Sequence, residues 1–268
     1  REPVPLPHRM TAMPHSSPAS PPPSPPMVAS TRKRSGWSGA GFWARFHLGR
    51  NLRRRGTLIW VIAVPLIVAV MRLAFGVPRE AVGQLVLMYL VPLMSLAFGG
   101  GVLREEVEDQ TLTYGFTRPL DRAALYTARL AAAAGPVLLA TVPAVAFAAS
   151  GPLDAARLIA AAVLGTAAHA ALFGLWGLLL RRPSWLGLAY VFLWEQSIEQ
   201  VPGWLSSLTL RAHIRELASL EHRTLFPGAP SAGTDSWWIS ALILMAVAGV
   251  GVAVAGALVR RRELVMTR

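Results

Sequence analysis

The stretch Thr57-Leu58-Ile59-Trp60-Val61-Ile62-Ala63-Val64-Pro65-Leu66-Ile67-Val68-Ala69-Val70-Met71-Arg72-Leu73-Ala74-Phe75 decides the fold class. It has no polar face at helical or strand spacing, and its one charge, Arg72, stands near its end. A helix needs about 20 apolar residues to cross the hydrocarbon of a bilayer, so this stretch reads as a span. Five more apolar runs follow, at residues 81–103, 125–149, 158–180, 185–201 and 237–259. The expected fold is therefore an all-α integral membrane protein with six transmembrane helices. Composition agrees: 53% of the 268 residues are hydrophobic and 15% are charged, against about 25% charged in soluble domains. Prolines and glycines inside the runs are compatible with spanning, because neighbouring helices can satisfy freed backbone groups.

Upstream of the first span, residues 37–55 set Trp37, Phe42, Trp43, Phe46 and Leu48 among Arg45, Arg50, Arg53, Arg54 and Arg55. Aromatic anchors beside arginines predict a helix lying in the inner interface. Residues 1–36 are rich in Pro and Ser, with too few apolar side chains to offset chain entropy, and read as a disordered tail with no apolar signal-peptide core. Residues 37–268 form the membrane domain.

The net charge of +12 admits two readings, nucleic acid or membrane topology, and the positions of the charges separate them. With the N-terminus inside, nineteen Lys and Arg fall in inner segments. Only Arg79, Arg157, Arg211, Arg215 and Arg223 fall in outer ones. The positive-inside rule then predicts a multi-pass protein of the cytoplasmic (inner) membrane with both termini inside, and no nucleic-acid partner. The absence of cysteine excludes disulfides, thiolate metal sites and cysteine nucleophiles.

Between spans two and three lies a charged segment, residues 104–122, with five of the fourteen carboxylates. Glu105 and Asp109 are four apart, and Glu106 and Asp109 three apart, so a helix places them on one face. Arg118 and Arg122 are also four apart. Pro119 and Asp121 suit the first turn of a new helix.

Here the sequence resembles the permease subunits of type 2 ABC exporters, which carry a pattern like E-x-E-x-G-T-L-x-x-x-x-x-x-P-x-x-R after span two. Glu106, Glu108, Thr111, Leu112, Pro119 and Arg122 match it in order, and Gln110 stands where the pattern has glycine. The likeness extends over residues 40–265 through the interfacial helix, the six-span layout and the long outer segment before span six. It implies that residues 104–122 form a cytoplasmic coupling helix docked on a separate P-loop ATPase. Glu105, Glu106, Glu108, Asp109, Thr111, Arg118, Pro119 and Arg122 would lie at or near that contact. It further implies a dimer with a second or sister permease, whose spans tilt when the ATPases close on nucleotide.

The chain itself lacks a P-loop: its only lysine, Lys33, sits in Arg32-Lys33-Arg34-Ser35 without the glycines. It is therefore expected to be a transport subunit and not an enzyme. It would hold no cofactor or metal of its own, and ATP and Mg would be bound by the partner.

Glu195 and Glu199 share a helix face in span five. Carboxylates in hydrocarbon cost a few kcal/mol, so each should meet a cavity or partner. Either they line a translocation path or proton relay, or the short span ends early. In the second case Glu199 sits at the outer interface, while Glu195 pairs with an arginine or shares a proton. The first alternative leaves open a proton-coupled secondary transporter or channel. In residues 202–236, Leu210, Ile214 and Leu217 recur at helical spacing beside Arg211, Arg215 and Glu216, predicting a short helix on the outer leaflet. His169, alone among alanines in span four, reads as a hydrogen-bonded packing residue with no second metal ligand at suitable spacing.

Overall fold

The computed structural model describes residues 39–101, 121–180, 182–201, 204–220 and 236–261, and no strand occurs among them. The predicted tail lies outside the described residues. Five helices are long and apolar enough to cross a membrane: α2 (Arg55–Leu73), α3 (Arg79–Gly99), α4 (Arg122–Ala148), α5 (Pro152–Leu179) and α8 (Trp237–Arg261). Ahead of them stands α1 (Ala40–Leu52). Between α5 and α8 come α6 (residues 183–199) and α7 (Leu210–Leu217), joined through a 3-10 turn, Trp204–Leu208.

α6 corresponds to the expected fifth span and is not among the five long helices. It consists of consecutive segments of 7, 6 and 4 residues, the middle one, Tyr190–Glu195, a π-helical turn. A helix of that length rises only about 25 Å, against about 30 Å of hydrocarbon. A second π-helical turn, Leu85–Leu90, lies inside α3. Pro92 follows it. Proline has no N–H and its ring crowds the carbonyl four residues back, which lies in the widened turn.

α5 is the central helix, with α3, α4, α7 and α8 all packed on it. Small residues make this possible. A side chain at Gly177 would meet the Gly100 carbonyl oxygen at 2.6 Å, and one at Gly251 would meet the Ala171 Cβ at 3.1 Å. Backbones thus approach closely, and dispersion contacts hold the helices where the hydrophobic effect gives little between apolar surfaces in lipid. α2 packs mainly on α4 and exposes Ile59, Trp60, Ile62, Leu66 and Ile67. The tight α2–α3 turn needs a positive φ, which Gly76 supplies at 60°.

The two ends of the bundle can be told apart by their contacts. At one end Asp121 accepts from the Ala123 N–H at 3.2 Å and pairs with Arg260, so the start of α4 meets the end of α8. α1 is tied to α4 by Asn51 Nδ2 donating to the Ala132 carbonyl at 3.3 Å. At the other end Arg79, opening α3, donates through Nε to Asp154 of α5 at 2.7 Å and through Nη2 to the Ala218 carbonyl at 3.0 Å.

Candidate functional site

The short helix predicted on the outer leaflet exists as α7, but it is sunk between the long helices. Leu210, His213, Ile214 and Leu217 are buried. A Cβ at Gly165 would meet Ile214 Cδ1 at 2.8 Å, and one at Gly83 would meet Leu220 Cδ2 at 2.9 Å. Gly165 lies thirteen residues into α5, about 20 Å along its axis. α7 begins with Thr209, whose side chain accepts from the Ala212 N–H at 3.2 Å. It ends in a Schellman turn, with Leu220 N–H donating to the Arg215 carbonyl at 3.1 Å and Ser219 N–H to the Glu216 carbonyl at 3.0 Å. Ser219 occupies the left-handed position at φ 52, and its hydroxyl accepts from Arg157 Nη1 at 2.8 Å.

The reason α7 can be buried is charge compensation. Glu199, at the end of α6, is 2% exposed. Its Oε2 lies 2.7 Å from Arg211 Nε, and its Oε1 pairs with Arg215 Nη1. The Arg211 guanidinium also lies over the Tyr89 ring, 4.8 Å from its centroid. Gln196 Nε2 donates to the Tyr89 hydroxyl at 2.7 Å. Tyr89 belongs to the π turn of α3 and Gln196 directly follows the π turn of α6, so the two widened turns meet across this contact. Beyond α7, Glu216 accepts from the Ser236 N–H at 3.1 Å and from the Ser240 hydroxyl at 2.8 Å. His213 Nε2 donates to the Ser207 carbonyl at 2.8 Å.

Glu195, one turn before Glu199, is 1% exposed and has a histidine as its partner in place of the arginine the sequence suggested as one option. Its Oε1 faces His169 Nε2 at 3.4 Å. Tyr190 hydrogen-bonds the same carboxyl group. Tyr190 and Glu195 are five apart, which an α-helix would set about 140° around its axis. The π turn between them brings both to one side. His169 is hydrogen-bonded, as expected of a packing histidine: Nδ1 meets the Gly165 carbonyl at 2.9 Å, and the ring packs on Phe173 at 5.7 Å. Among the described residues no group of three or more His, Cys, Asp and Glu could hold a metal.

Of the coupling-segment residues, Glu105, Glu106, Glu108, Asp109, Thr111, Arg118 and Pro119 lie outside the described residues. Arg122 opens α4, directly after the Asp121 cap. Sequence reasoning named the two carboxylates of α6 but missed that Arg211 and Arg215, four apart on α7, both serve Glu199, and that His169 faces Glu195.

Compared with known proteins, the chain matches no family model and no curated protein.

Proposed function

We propose that this chain is the permease subunit of an ATP-driven exporter, a six-crossing protein of the cytoplasmic membrane with both termini inside. It would work as a dimer on separate P-loop ATPases. The observation that carries the reading is where the resembling segment falls. Residues 102–120 connect Gly101 to Asp121, at the bundle end where α1 and Arg260 also gather. That end collects arginines: Arg50, Arg54 and Arg129 line one cavity with His47 and Gly101. The positive-inside rule makes such an end cytoplasmic, which is where an ATPase would meet the acidic face of Glu105, Glu106 and Asp109.

The direction of α8 supports reading six crossings in place of five. Arg260 near its end pairs with Asp121, while Ser240 near its start contacts His213 of α7. α5 ends at Leu179 on the Asp121 side, so the chain between must return to the other end. In this reading α6, the 3-10 turn and α7 together make one interrupted crossing. Irregular backbone at membrane depth is tolerated where protein buries it, and such interruptions place polar groups inside transporters.

A proton-coupled carrier is the second reading, favoured by the burial of Glu195 against His169. Glu199 serves it less well, since Arg211 and Arg215 already neutralise that carboxylate.

The deciding experiment reverses Glu106 and Asp109 together to Lys. The apolar spans are unchanged, so membrane insertion should persist, while copurification of a cytoplasmic ATPase after mild detergent extraction should be lost. Undiminished copurification refutes docking through this segment.

A further inference from the structure

We propose that His169 and Glu195 form a one-proton site at mid-depth of the bundle, loaded while α6 is seated on α5 and emptied when the two part. This stands on geometry alone and does not depend on the permease reading.

The tautomer comes first. A backbone carbonyl can only accept, so the 2.9 Å contact to the Gly165 carbonyl requires a proton on His169 Nδ1. Neutral imidazole then has a bare lone pair at Nε2. That atom faces Glu195 Oε1 at 3.4 Å, and neither atom has a hydrogen-bond partner. If the carboxylate were also ionised, two acceptors would oppose each other in a site where both residues are 1% exposed. One proton removes the conflict, as Nε2–H facing a carboxylate or as a carboxylic acid facing Nε2. Both forms are net neutral, which burial demands.

Other groups do not supply that charge. On α6, Tyr190 donates one hydrogen bond to Glu195, and Glu199 is held by Arg211 and Arg215 of α7. His213 and Glu216 of α7 bond Ser207, Ser236 and Ser240. On α3, Arg79 is engaged by Asp154 of α5, and Tyr89 by Gln196 and Arg211. The segment Val91–Gly99 has no ionisable residue, only the buried hydroxyl of Ser95. α4 contributes the Tyr126 hydroxyl, and Arg129, which lies beside His47. α8 carries Arg260 and Arg261 only in its last turn.

His169 lies ten residues from the end of α5 and Glu195 twelve from the start of α6, about 15 and 18 Å along the helices. This is mid-depth in a hydrocarbon layer of about 30 Å. Separation of α6 from α5 with entry of water breaks the Nε2···H···Oε1 contact. The proton passes to water, leaving neutral imidazole and a hydrated carboxylate. Any transport step that moves α6 is then linked to one proton.

The test is nitrogen-15 NMR of the histidine-labelled full chain in detergent micelles, with His169→Gln assigning the signal and Glu195→Leu removing the partner. Protonated Nδ1 together with a protonated or hydrogen-bonded Nε2 is expected in the wild type, with Nε2 turning bare in Glu195→Leu. A bare Nδ1 or a bare Nε2 in the wild type overturns the proposal.

Discussion

Glu199→Gln should be among the most damaging single-atom-scale changes in the described structure. Glu199 is 2% exposed, and the side chains of its partners Arg211 and Arg215 are 11% and 15% exposed. Exposed ion pairs contribute about 0–1 kcal/mol. Removing one partner of a buried pair costs about 3–5 kcal/mol, because the remaining charge is uncompensated. Here one carboxylate serves two guanidiniums, and an amide cannot replace it. Its oxygen can accept from one arginine, but its NH2 then faces the other, donor against donor. For a chain of this size each kcal/mol shifts Tm by about 2–4 °C, so a fall of roughly 6–20 °C is expected. The assay is thermal unfolding of the detergent-solubilised chain at pH 7, followed by size-exclusion recovery after heating. Adding Arg215→Gln to the variant should restore part of the loss, since it removes the surplus cation. A fall of about 2 °C or less places the trio among exposed pairs and refutes the claim that buried charge compensation seats α7.

Two further predictions test the packing and the α1 contact. Gly177→Ala would bring a Cβ within 2.6 Å of the Gly100 carbonyl oxygen, a backbone atom that cannot rotate away. A loss of about 1–3 kcal/mol and a lower monodisperse yield should follow, while Gly249→Ala, with nothing within 4 Å, should change neither. Burial, then the charges of Arg129 and Arg50, push His47 down to about 4. The unfolded chain near 6.5 therefore takes up a proton that the folded one refuses, so stability is complete above pH 6.5 and lost as pH falls toward 4. His47→Gln should reduce the Tm decrease between pH 6.5 and 4.5, and an unchanged decrease would show that His47 is not responsible.

The five long helices were legible because each carries a long, predominantly apolar run, and length against bilayer thickness is a one-dimensional test. α1 was legible for a related reason, its aromatics and arginines standing ahead of the first span. The burial of α7 was not. Leu210, Ile214 and Leu217 announce a helix with one apolar face, but the spacing is the same whether that face meets lipid headgroups or other helices. Deciding between these required knowing that Glu199 lies against Arg211 and Arg215. That is a contact between two segments, and hydropathy reads each segment alone.

The same limit explains why α6 was read as a plain short span. Counted by apolar residues, 185–201 nearly suffices to cross, and its two carboxylates look like a cost. In the structure they add polar ties between α6 and the bundle: Glu195 to α5 through His169, Glu199 to α7 through two arginines. Both π-helical turns sit at this junction, and each loosens the i→i+4 ladder where a polar side chain must be re-aimed, Tyr89 on α3 and Glu195 on α6. In lipid, such polar contacts are the part of helix association that solvation by acyl chains cannot imitate. α6 is held by these polar contacts together with an apolar cluster in which Val191 packs with Leu96 and Phe173, and α7 is seated in the main core by the buried Leu210, Ile214 and Leu217.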